Sequence, residues 1–177
     1  RGDLSWQSQV FFTPVNDADV PPLRPHEPER RSTPPVSAID AALDILEAAE
    51  RPVVFAGGGA LFSGAQEEVR QFAAMLQIPV LANAKARGIV PEWSDFGGGQ
   101  FALASIAGNA AGGPPDVVVL LGTRVGMFTG TGPRSFIPPG AKVIQVDIEP
   151  EEIGRSRDID VALVGDALAT IHYETGW

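Results

Sequence analysis

The sequence predicts a three-layer α/β/α domain, and three observations predict it. Short, largely apolar runs recur along the chain: Val53–Ala56, Pro79–Ala82, Val117–Leu121 and Lys142–Asp147. Stretches with helical apolar spacing separate the earlier runs, and glycine or aspartate stands where several of them end. Continuous apolar runs mark parallel strands buried on both faces, and alternation with helices marks βαβ crossovers. Together these give a five- to six-stranded, mainly parallel, Rossmann-like sheet with helices on both sides.

The elements follow in order. Seven prolines lie between Thr13 and Pro35, so this stretch forms neither helix nor central strand and is expected to be an extended linker. Residues 1–32 are therefore expected to be a linker and tail, and residues 33–177 the folded domain. Ile39, Leu43, Leu46 and Ala49 recur at helical spacing opposite Asp40, Asp44 and Glu47, with Ser32 or Thr33 as the start signal. Val53–Ala56 is the first strand and ends in Gly57-Gly58-Gly59. Ala65, Val69, Phe72, Ala73 and Leu76 mark the second helix, and Pro79–Ala82 the second strand. The Gly97-Gly98-Gly99 stretch precedes a small-residue helix expected around Phe101–Asn109. Val117–Leu121, Lys142–Asp147 and Val161–Val164 are further strands, and Asp166–His172 begins a closing helix.

Composition narrows the function. Thirteen Lys and Arg stand against twenty-two Asp and Glu, a net charge of −9, which opposes nucleic-acid binding. There is no cysteine, so disulfides, thiolate zinc sites and cysteine nucleophiles are absent. No apolar run approaches the roughly 20 residues of a membrane span, and the first residues lack a signal-peptide pattern. The expectation is a cytoplasmic protein; its start without Met suggests a piece of a longer one. His26 and His172 have no metal-spaced partners, and no G-x-S-x-G, H-E-x-x-H or Walker A pattern occurs. No catalytic or metal-binding residue is assigned.

Ligands of open parallel sheets bind beyond the carboxyl ends of the strands, where strand order reverses. Three such ends carry suitable residues. Gly57-Gly58-Gly59 lets the backbone approach a diphosphate, and equally makes a tight turn with no ligand. Phe62 and Gly64 break the dinucleotide fingerprint, and the second strand ends in Ala82-Asn83-Ala84-Lys85 without its acid, which argues against a standard NAD site. At Gly122-Thr123-Arg124, the arginine can meet phosphate or a flat ring, simply solvate a loop, or reach across to a partner domain. Asp147, followed by Ile148-Glu149-Pro150, can accept from ribose hydroxyls or cap the next turn.

Taken as an ordered set, these segments resemble the central domain of thiamine-diphosphate-dependent enzymes of the acetolactate synthase kind. The resemblance is carried by Arg51–Gly59, Gln66–Leu76 with Ile78-Pro79-Val80, Lys85–Glu92, Asp116–Arg124, Val143–Gly154 and Val164–Ala167, and covers about Thr33 to Ile171. It implies a parent enzyme in which pyrimidine- and diphosphate-binding domains of the same chain hold thiamine diphosphate and Mg between subunits of a homo-oligomer. It implies a middle domain that is structural in some members and binds FAD or ADP in others. By position, it makes Gly58, Gly59, Thr123, Arg124, Asp147 and Ile148 the nucleotide contacts. Gly126–Pro133 departs from the family pattern, replacing an acid- and arginine-bearing loop, and Ala107–Pro115 is unusually rich in small residues. The resemblance implies a lyase or transferase acting on 2-keto acids or related carbonyl compounds, inert as this chain alone. An independent nucleotide-binding module is the alternative. A related NAD-dependent deacylase would need a catalytic His and commonly a four-Cys zinc site, which the chain lacks.

Overall fold

The computed structural model describes residues 31–101, 112–126, 129 and 135–175. The unit Arg31–Trp177 is compact. Its elements run α1 (Val36–Glu47), β1 (Pro52–Ala56), α2 (Gly58–Phe62), α3 (Gln66–Leu76), β2 (Val80–Ala82), β3 (Gly97–Gln100), β4 (Val117–Leu121), β5 (Lys142–Asp147), β6 (Val161–Val164) and α4 (Ala167–Thr175). Short 3₁₀ turns cover Ala84–Ala86 and Pro150–Glu152.

The six strands are parallel throughout, in the order β3-β2-β1-β4-β5-β6. The apolar runs are strands because both of their faces are buried. In β1, Val54 and Ala56 join one core while Val53 and Phe55 join the other. In β4, Val117, Val119 and Leu121 alternate likewise with Val118 and Leu120. Ile39 and Leu46 of α1, Val69 and Phe72 of α3, and Ile171 of α4 complete the first core. Phe101 and Ile137 complete the second, with Phe101 stacked on Phe55 at 4.5 Å between ring centroids. The architecture is the three-layer α/β/α expected.

Four details differ from or add to the expectation. The sixth strand is Gly97–Gln100, a glycine run with no side-chain pattern, made a strand by pairing with β2. The short helix α2 starts inside the glycine triplet. Helix α1 is capped by Pro35 without a side-chain bond, so neither Ser32 nor Thr33 serves as its start signal. Most of the helix expected around Phe101–Asn109 lies outside the described residues.

Strand order reverses between β1 and β4, which are neighbours with β2 and β5 on their outer sides. There the turns that leave the two strands interlock. Gly57 N–H donates to Leu121 O and Gly59 N–H to Gly122 O, both at 2.9 Å. A Cβ at Gly59 would lie 2.8 Å from Gly122 Cα, and one at Gly122 would lie 2.7 Å from Gly59 C. Gly122 also has φ +57, a conformation open to glycine at no steric cost. The glycines at the switch point therefore let two backbones touch.

Candidate functional site

Next to this interlock the carboxyl end of the sheet opens into a cleft of about 340 Å³. Gly59, Phe62 and Ser63 form the α2 side, with Gly122 at the base. Val146, Asp147 and Ile148 form the β5 side, and Gly165, Asp166 and Ala167 the turn into α4. Three of the six expected contacts, Gly59, Asp147 and Ile148, thus share one cleft. Gly58 is buried, and a Cβ on it would face Lys85 and Phe62. Thr123 is buried against Gly57. Arg124 points to the loop after β5, where its Nη1 meets Glu152 Oε1 at 3.2 Å.

Asp147 is placed by the end of β5. Its main-chain O accepts from Gly165 N–H at 2.9 Å, tying it to the end of β6. Its Oδ1 accepts from Glu149 N–H at 3.1 Å, so it also serves the turn-capping role that the sequence left open. Burial pushes the Asp147 carboxyl above its ordinary value. The Glu149 amide opposes that push, Glu152 adds to it, and Arg124 offsets part of it. A half-buried carboxyl that is under-compensated in a cleft is a group that gains from an incoming donor.

The following loop is held from within the sheet. Gln145, buried on β5, donates to Glu152 O and accepts from Gly154 N–H, both at 3.0 Å. Glu152 Oε1 accepts from both Arg124 and Arg155. Two apolar side chains, Phe62 at 79% exposure and Ile148 at 58%, stand on opposite sides of the cleft. They offer faces for a flat ring.

Sequence reasoning missed Asp166 as a cleft residue. It is nearly buried, and its Oδ1 accepts from Ala169 N–H at 3.1 Å, capping α4. The available signal was an aspartate two residues past the last strand, near a strand end as Asp147 is. The residues present fit the nucleoside portion of ADP or FAD: carboxylate acceptors for ribose hydroxyls, apolar faces for a ring, and a volume at the low end for small-molecule sites. The amides of Gly57 and Gly59 are already bonded to the β4 turn. Among the described residues no group of three or more His, Cys, Asp or Glu could hold a metal, and no helix is long and apolar enough to cross a membrane.

Residues 39–173 match the model of the thiamine pyrophosphate enzyme central domain. The chain belongs to this family. It is 34% identical over 162 residues to the acetolactate synthase large subunit of Parasynechococcus marenigrum (strain WH8102), covering 90% of this chain and 25% of that protein. It is also 34% identical over 178 residues to the acetolactate synthase of Mycobacterium leprae (strain TN), covering 95% of this chain and 27% of the relative. The benzoylformate decarboxylase of Polynucleobacter necessarius shares the fold at TM-score 0.66 and 22% identity, over 86% of this chain and 29% of that one. The chain thus spans about a quarter of the length of these two curated relatives.

Proposed function

We propose that this chain is the central domain of a thiamine-diphosphate-dependent lyase or transferase that acts on 2-keto acids or related carbonyl compounds, in the manner of an acetolactate synthase. Residues 33–177 are the domain, and residues 1–32 are the linker and the tail of a preceding domain. Pyrimidine- and diphosphate-binding domains of the same parent hold thiamine diphosphate and Mg, in a cytoplasmic homo-oligomer. The observation that supports this is the span of the match: nearly the whole chain aligns with one quarter of an acetolactate synthase subunit.

The domain's own role is to position its neighbours and to hold a nucleotide, ADP or FAD, in the cleft. Asp147 accepts from the ribose, Ile148 supports the base, and Gly59 lines the cleft beside Phe62 and Ser63. Gly58 and Thr123 shape the switch-point turns behind it, and Arg124 tempers the charge around Asp147. Support comes from the raised Asp147 carboxyl and from the apolar faces of Phe62 and Ile148 beside it.

Thermal unfolding of the chain with FAD, ADP, CoA or NAD tests the nucleotide role. A ligand present at about 100 times its Kd adds roughly 2.7 kcal/mol, a Tm rise of about 5–10 °C for a domain of this size. A rise with FAD or ADP that disappears in Asp147→Ala is the expected result. A rise that survives the substitution would remove Asp147 from the site.

A further inference from the structure

Arg31 stands beside the cleft and belongs to none of the strands or helices that form it. Its Nη1 donates to Ser63 O at 2.7 Å and to Asp166 Oδ1 at 2.8 Å, so it bridges the α2 and α4 sides. Its Nε and Nη2 have no hydrogen-bond partner among the described residues, and the side chain is 47% exposed. The backbone beside it is fixed independently. Asp166 N–H donates to Ser32 O at 2.9 Å, and Pro34 packs so closely on Gly165 that a Cβ there would lie 2.6 Å from Pro34 Cδ.

The charge around the cleft makes this placement informative. Its lining carries two carboxylates, Asp147 and Asp166, and no Lys or Arg. Arg31 is the cation hydrogen-bonded to that lining among the described residues. The turn amides of Gly57 and Gly59, which would otherwise receive phosphate oxygens, donate to Leu121 and Gly122. A guanidinium with one nitrogen engaged keeps its full charge and a planar set of further donors, which suits a phosphate.

With the cleft taken as a nucleotide site, as proposed above, we infer that Arg31 is its phosphate-recognition residue. The ribose hydroxyls meet Asp147, while phosphate oxygens accept from Nε and Nη2 of Arg31 at the mouth. Nη1 keeps its bonds to Ser63 and Asp166, so Arg31 neutralises Asp166 and attracts the ligand anion from one position. Phosphate recognition is thereby moved from the glycine turn to the segment that leads into the domain.

Calorimetric titration of the full 177-residue chain with adenosine, AMP and ADP tests this in wild type, Arg31→Gln and Arg31→Lys. The wild type is expected to bind ADP at least about tenfold more tightly than adenosine, as charge-assisted bonds to one phosphate supply. Arg31→Gln should remove that difference and leave adenosine binding unchanged. Arg31→Lys should retain part of it, and raising the salt should shrink it in wild type. Equal binding of adenosine and ADP by wild type, or an undiminished ADP preference in Arg31→Gln, overturns the assignment alone. Loss of adenosine together with ADP in Arg31→Gln assigns Arg31 to holding the cleft walls and overturns it too. Binding of neither ligand by wild type overturns the nucleotide reading of the cleft and this assignment with it. Because the ion pair is partly exposed, both variants are expected to keep the unliganded Tm within a few degrees; if Arg31→Gln does not fold, the ADP-to-adenosine ratio in Arg31→Lys decides.

Discussion

Asp116 and Asp147 lie at opposite ends of the sheet, one just before β4 and the other closing β5, and the chain treats their carboxyls in opposite ways. Burial works to raise the Asp116 carboxyl. It is outweighed by the amides of Glu50 and Arg51, which donate to its two oxygens at 2.7 and 2.8 Å, and by the Arg51 charge. The carboxyl is held below the ordinary aspartate value and fastens the entry of β1 to the entry of β4. Asp147 accepts from Glu149 N–H, and burial leaves its carboxyl raised although the Glu149 and Ile148 amides and Arg124 pull it down. Elsewhere at the amino end the Arg157 guanidinium donates to the carbonyls of Ile137, Pro138 and Ala141. These groups at the amino end hold strand entries together, whereas the Asp147 carboxyl at the end of β5 lines an open cleft. Asp116 thus serves the fold, whereas Asp147 faces the cleft proposed to hold a nucleotide.

The largest expected effect lies at the carboxyl end and marks where its openness stops. Gly122→Ala should cost about 3 kcal/mol or more, because a Cβ there combines a left-handed backbone with overlap onto the Gly59 backbone. Gly64→Ala, at φ +78 but with nothing nearby, should cost only about 1 kcal/mol. Urea unfolding measures both. Equal losses would mean that the β1 and β4 turns are not interlocked.

Asp116→Ala comes next, at about 1–3 kcal/mol, for two charge-assisted bonds to backbone amides. Its folded carboxyl is depressed, so its contribution is present above the ordinary value near pH 4 and lost as pH falls through the folded value. Unfolding curves of wild type and Asp116→Asn should therefore converge as pH falls through the folded Asp116 value. Curves that stay parallel into acid would show that the carboxylate charge plays no part.

Asp147→Asn should have the smallest effect on stability, within about 0.5 kcal/mol at pH 7, because the group is half exposed. The sign is opposite to that of Asp116. A raised carboxyl makes the wild type lose stability as pH climbs through the interval between the ordinary and folded values, and the amide variant lacks that slope. A loss as large as that of Asp116→Ala would erase the contrast between the two ends.

Much of this architecture was legible in the residues. Val117–Leu121 reads as a strand buried on both faces, since five successive apolar, mostly β-branched side chains leave no side for water. Asp147 was legible as an acid at a strand end. Strand β3 was not, because Gly97-Gly98-Gly99 has no side chains to form a pattern, and its identity comes from pairing with β2. Arg31 and Asp166 were not legible as a pair either. They are 135 residues apart, and their meeting depends on where the chain enters relative to the end of β6.

The order of apolar runs, turn glycines and amphipathic stretches, by itself, determined the layered α/β class and the segments that mark the family, because burial on two faces and helical periodicity are local properties of residue order. Tertiary structure decided which strand ends adjoin and which amides remain available. It turned the glycine triplet into a contact between backbones, put Gly59, Asp147 and Ile148 in one cleft, and bonded Arg31 to the Ser63 and Asp166 that line it. Those outcomes depend on strand order and on distances between segments far apart in the chain, which no local pattern encodes.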